Sequence, residues 1–141
     1  MTIYLYAGLL AGFYLFLSVQ VIRSRRANKT AIGDGDNLDI KRRIRAHGNF
    51  MEYTPLFLIL LFLAEQCGLY AWCVHILGVA FFLGRLSHAY SLLKHEQYED
   101  GKIVAMPIWR IRGMMCTFNT IGTLVAIVLI QYVLSFFPNL F

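Results

Sequence analysis

The sequence predicts an all-α integral membrane protein, a bundle of four helices crossing the bilayer. Three observations carry that expectation. The chain has 141 residues, of which 58% are hydrophobic and only 15% charged, well below the roughly 25% of a soluble domain. A chain this short has too little interior to hide so much apolar side chain from water, whereas a bilayer lets the outer surface be apolar as well. Long runs lack charge altogether, Met1 to Ile22 and Gly113 to Phe141. And every cation falls in two stretches, eight of them between Arg23 and Arg45 and five between Arg85 and Arg112.

The elements follow in order. The first apolar run is long enough to span, and it lacks the basic flank and small-residue cleavage site of a removable signal, so it reads as a retained helix. After Arg23-Ser-Arg-Arg26 comes a polar loop whose Gly33-Asp-Gly-Asp36 cluster marks a turn. The cluster lacks the other ligands of a calcium loop. Asn37 or Asp39 is a suitable N-cap for the second helix, which starts polar and becomes purely apolar after Glu52-Tyr-Thr-Pro55, where Pro55 deletes one backbone hydrogen bond. Glu65-Gln-Cys-Gly68 reads as a turn, Lys94 to Ala105 as a polar connection, and Met106 or Pro107 opens the fourth helix. The expected unit is a single domain over residues 1–141, with helices at about 2–25, 38–65, 69–94 and 106–137. The positive-inside bias puts both basic connections in the cytoplasm and both termini outside.

The basic balance, net +5, borders apolar runs, so it suits anionic lipid or a small anionic ligand and not nucleic acid. Cys67, Cys73 and Cys116 form no CxxC pair and suggest neither a metal site nor a disulfide framework. There is no phosphate loop, Ser-His-Asp arrangement or HExxH. His75 receives no role, and Tyr4, Tyr6 and Tyr14 suit packing or the interfacial aromatic belt.

Ionisable residues inside a span are costly unless paired, and so mark function by default. At about 100° per residue, Asn49 lies about 40° from Arg45 and Glu52 about 20° to the other side, making one polar stripe with Tyr53 at its edge. The bland alternative is a self-neutralising network that glues helices. His47 points about 200° from Arg45 and faces elsewhere. Arg85 and His88 stand a turn apart on the third helix, Arg110 and Arg112 begin the fourth, and Arg26 ends the first. Snorkelling anchors explain Arg23, Arg25, Arg43 and Arg110; they explain Arg45 and Arg85 less well. Arginines with one carboxylate, one carboxamide and tyrosines suit a zwitterion bearing more than one carboxylate, and a thiol among them would ionise readily. Glutathione fits that inventory, though composition alone does not name it.

The stretch Arg42-Arg-Ile-Arg45-Ala-His47-Gly-Asn49-Phe-Met-Glu52-Tyr53-Thr-Pro55 resembles the signature of the MAPEG superfamily, membrane-associated proteins in eicosanoid and glutathione metabolism that include the microsomal glutathione transferases. Gly84-Arg85-Leu-Ser-His88 and Arg112-Gly-Met are similar to further family positions, and the likeness is to short bacterial members. Lys41 stands where an acidic residue is frequent, and Leu92 where animal relatives use a tyrosine. The resemblance implies a homotrimer in a bacterial inner membrane, with glutathione as co-substrate, no metal, and a hydrophobic electrophile entering from the lipid. Carried over by position, it implies glutathione binding by Arg26, Arg45, His47, Asn49, Glu52, Tyr53, His88 and Arg112, with His47 and Arg26 reaching a neighbour's site. Arg112 would be the catalytic residue stabilising the thiolate, with Arg110 the competing choice, and Arg85 would be a structural support. The expected activity is glutathione transfer of the detoxifying kind, with glutathione peroxidase activity beside it. The alternative is a non-catalytic membrane protein that binds glutathione or an anionic lipid. A transporter would need polar residues through the bilayer depth, and the first and fourth spans have almost none.

Overall fold

The fold is described from a computed structural model covering residues 1–99, 102–104 and 106–137. Residues 100, 101 and 105 of the expected polar connection, and 138–141 at the end of the expected domain, lie outside the described residues. Four long helices make up the molecule: α1 (Ile3–Ala27), α2 (Leu38–Gln66), α3 (Ala71–Tyr90) and α4 (Ile108–Leu134). They run up and down in turn. Ser24 at the end of α1 bonds Asp39 at the start of α2, and at the opposite end the Glu65 carboxylate accepts the backbone N–H groups of Thr2 and Ile3. Glu65 therefore caps the start of α1, whose first amides have no partner within the helix. Its place in the sequence had suggested only a turn.

Local signals explain the helix ends. Asn37 caps α2 by accepting from the amides of Asp39 and Ile40 at 2.9 and 3.2 Å. Gly68, at φ +92°, takes the left-handed conformation that ends the α2 turn. Pro55 lies inside α2, which continues through it.

Three helical stretches, Ile3–Ala27, Ala71–His95 and Ile108–Leu134, are long and apolar enough to cross a membrane. The four-helix bundle is the one expected, and its second helix has the polar start that the sequence predicts. α2 is not among those three stretches because Lys41, Arg42, Arg43, Arg45 and Glu52 load its first half with charge. It is the polar helix of the bundle, and its interior side carries the site described below.

The core sits where the four helices meet. Phe57 of α2 and Phe81 of α3 stack with ring centroids 3.7 Å apart, among Leu10, Leu17, Leu61, Val74 and Leu124. Tyr6 lies flat on Gly78, where an added Cβ would come within 2.5 Å of its ring. α3 and α4 approach most closely at Gly84 and Gly113. A Cβ on Gly113 would meet the Gly84 carbonyl oxygen at 2.6 Å and the His88 nitrogen at 2.8 Å. Small residues at such crossings let backbones touch where no hydrophobic force drives helices together. Outward, large apolar side chains such as Leu15, Trp72, Leu83, Phe118 and Leu129 are exposed, as lipid-facing positions should be.

The connection from α3 to α4 is built, not merely polar. After Tyr90 the chain makes a wider π-type turn, Ser91–His95, then two short antiparallel strands, β1 (Tyr98–Glu99) and β2 (Lys102–Ile103). The helix expected to run to residue 94 thus changes character at Ser91.

Candidate functional site

The polar stripe of α2 is real and shared with α3. Arg45 donates to Glu52 at 2.9 Å, and the Asn49 amide lies 3.4 Å from the other Glu52 oxygen. Asn49 is buried, and its side-chain oxygen accepts from Arg85 Nη1 at 2.7 Å. Arg85 is 2% exposed, the largest fully buried side chain among the described residues. Its guanidinium reaches the Gly113 carbonyl and the Met114 sulfur, and lies 5.5 Å over the Tyr53 ring. A cation in such a place must be neutralised or hydrogen-bonded. Here Asn49, two backbone carbonyls and an aromatic face meet its Nη groups and its flat side, Glu52 lies one residue pair further out, and Nε has no partner among the described residues. These contacts tie α2 to α3 and α4 through Arg85.

Beside this network lies a cavity of about 500 Å³ lined by Arg45, Asn49, Tyr53, His88 and Arg110, with Leu92, Ile111, Met114, Met115 and Phe118. It sits toward the basic end of the bundle, between α2, α3 and α4. Its lining is mixed, with cationic and hydrogen-bonding side chains from α2, α3 and the start of α4 beside apolar ones from α4 and the turn after α3. Such a lining is usual for small-ligand sites, whose few polar groups fix orientation. The Tyr53 ring meets that of Phe118 edge-on at 5.7 Å, joining α2 to α4 at the cavity.

The structure brings Arg45, Asn49, Tyr53 and His88 together in this cavity, with Glu52 at its margin through Arg45. It does not bring in the other expected residues. His47 faces α1, its Nε2 3.0 Å from Ser18 Oγ and its ring 5.0 Å from that of Tyr14. Arg26 lines a separate groove with Ile22, Arg25 and Lys29. Arg112 lies 5.9 Å over the Trp109 ring and does not line the cavity.

Arg110 does, and this corrects its reading as a headgroup anchor. Two helix residues apart means about 200° of rotation, so Arg110 and Arg112 cannot face one cavity. The sequence held that separation but gave no means of telling which of the two faced inward. Arg43 bonds Asp39 at 2.8 Å and Gln20, and so links the start of α2 to α1. The cysteines are free, with Cys67 and Cys116 exposed and Cys73 partly so. No cluster of three metal-ligating side chains occurs among the described residues.

Comparison with known proteins agrees with the signature. Residues 3–130 match the model of the MAPEG family. The chain is also 35% identical over 114 residues to "Inner membrane protein YecN" of Escherichia coli (strain K12), covering 81% of this chain and 79% of that one. The same figures hold for the protein of that name from Escherichia coli O6:H1 (strain CFT073). The chain belongs to the MAPEG family and is an integral inner membrane protein.

Proposed function

We propose that this MAPEG member is a membrane-bound glutathione transferase that joins the thiolate of glutathione to hydrophobic electrophiles. The observation that carries the reading is the mixed lining of the cavity, which combines two arginines, a carboxamide, a phenol and an imidazole with apolar side chains. Arginines pair carboxylates through a planar fork, and in this reading Glu52, paired with Arg45 at the cavity margin, is the carboxylate that receives the ligand's ammonium. The apolar lining residues Met114, Met115 and Phe118 belong to α4, whose outer side is lipid-facing, so an apolar acceptor reaches the thiolate from the membrane.

The chemistry asks little of the protein. The thiol loses its proton to water, a neighbouring guanidinium stabilises the sulfur anion, and a carbon–sulfur bond forms as the leaving group departs with its electron pair. Holding the two reactants together supplies much of the rest. Arg45 and Arg110 are the cations lining the protomer's own cavity, and in this reading Arg110 is the one that meets the thiolate. Arg112, His47 and Arg26 face other directions and serve glutathione in this reading only across an interface, which is the reason for proposing a homotrimer. The same thiolate suits reduction of hydroperoxides, the related peroxidase activity.

A second reading has a specific observation behind it. Arg45, Glu52, Asn49 and Arg85 are joined to one another by hydrogen bonds without a ligand, as in a binding or purely structural network. Conjugation of an aryl halide by the purified, detergent-solubilised protein separates the two. Transfer activity in the wild type, lost with Arg45→Ala and Arg110→Ala, supports the enzyme; glutathione binding with no turnover supports the second reading. Loss with Arg112→Ala alone would move the catalytic part back to Arg112.

A further inference from the structure

The connection between α3 and α4 holds a carboxylate that the glutathione reading does not use. The Glu96 side chain has no exposure at all. It accepts from three donors drawn from three segments: Ser91 Oγ of the π-type turn at 2.9 Å, the Tyr98 hydroxyl of β1, and Arg110 Nη1 of α4 at 3.1 Å. Arg42 of α2 closes the group from the fourth side. Its Nε donates to the Leu92 carbonyl at 2.6 Å, and its guanidinium lies 5.3 Å over the Tyr98 ring. Burial, together with the bond to Glu96, pushes the Tyr98 hydroxyl up from its ordinary value, so it stays a donor at neutral pH.

A carboxylate this buried needs its cation, because removing one partner leaves an uncompensated charge away from water. Arg110 is therefore held by one nitrogen. Among the described residues its Nε and Nη2 have no protein partner, and the side chain, 34% exposed, lines the cavity. An arginine on a flexible stem would otherwise lose considerable rotamer freedom on meeting a ligand. Leu92, whose carbonyl Arg42 holds, is itself a lining residue. The turn and the two strands thus form a brace that shapes the cavity from its basic end.

We propose that Glu96, set by Ser91 and Tyr98, is a positioning residue that fixes the Arg110 guanidinium in the cavity wall, so that its free N–H groups meet the anionic part of glutathione. The proposal rests on the glutathione reading and adds a group outside the cavity that acts through Arg110. A plain staple for the connection would also make these bonds, but it would not act on ligand affinity through one particular arginine.

A double-mutant cycle tests this on the purified full-length chain, with glutathione as the calorimetric probe and thermal melting as the folding control. Glu96→Ala should weaken binding about tenfold, the scale of one charge-assisted hydrogen bond. Glu96→Gln, which keeps an acceptor for Arg110, should recover most of that. Arg110→Gln should weaken binding comparably, and adding Glu96→Ala to it should cost nothing further, because the two act as one unit. Should Glu96→Ala fail to fold, Tyr98→Phe takes its place in the same cycle, with a smaller loss that again vanishes beside Arg110→Gln. Wild-type affinity in both Glu96→Ala and Tyr98→Phe, or losses that simply add to that of Arg110→Gln, would overturn the proposal and leave the glutathione reading standing. No glutathione binding by the wild type would overturn both.

Discussion

Arg85 shows how one buried side chain organises a site without lining it. Its guanidinium joins Asn49 of α2 to Gly113 and Met114 of α4, and so fixes the spacing of the cavity's walls. Arg85→Met fills similar space but leaves Asn49 Oδ1 without that donor in a buried position. The expected cost is about 1–3 kcal/mol, seen as a lowered thermal midpoint in detergent, and Arg23→Ala on the exposed end of α1 should leave the midpoint unchanged. Equal midpoints for the two variants would mean Arg85 is not the organising cation. At this scale the sequence was informative wherever residues share one helix. The spacing of Arg45, Asn49 and Glu52 put them on one stripe, and the structure joins them by hydrogen bonds. It was silent wherever the partner comes from far along the chain. Nothing near Glu96 in sequence foretells Arg110, and nothing near Glu65 foretells the amides of Thr2 and Ile3.

At the scale of elements, the helices were legible because apolar length and charge-free runs define a span regardless of what packs against it. Their ends shifted by a few residues, as at the start of α4, which follows Pro107. The connection between α3 and α4 was not legible. Strands of two residues each carry no periodic pattern, and the π-type turn is held by a bond from Arg42, some fifty positions earlier. The crossing of α3 and α4 is the element contact that most constrains the site, since Gly113 faces both Gly84 and His88. Gly113→Ala must push backbone atoms apart, with an overpacking cost of about 1–3 kcal/mol. Because His88 and Arg85 move with α3, that variant should lose glutathione affinity together with stability, whereas Gly122→Ala, with open space around its Cβ position, should lose neither. Wild-type melting and affinity for Gly113→Ala would show that the close approach is not required.

For the whole molecule, the exterior and the interior divide the work. Lipid-facing leucines, phenylalanines and tryptophans hold the bundle in the membrane, and one polar helix carries charge into its interior on the side where α2, α3 and α4 meet. The cations that first suggested only an orientation fall into two groups in space. Arg43 ties helix ends, while Arg45, Arg85 and Arg110 surround or support one cavity. His47, Arg26 and Arg112 point to other faces of the protomer, which is how residues completing a neighbour's site would be arranged in the proposed trimer. The central claim, that the cavity takes glutathione as its thiolate, has a direct spectroscopic readout. Glutathione added to the purified protein near neutral pH should raise the ultraviolet thiolate band in a saturable way, and Arg110→Ala should abolish that rise while the fold persists. Saturable binding without a thiolate band, or no binding at all, would contradict it.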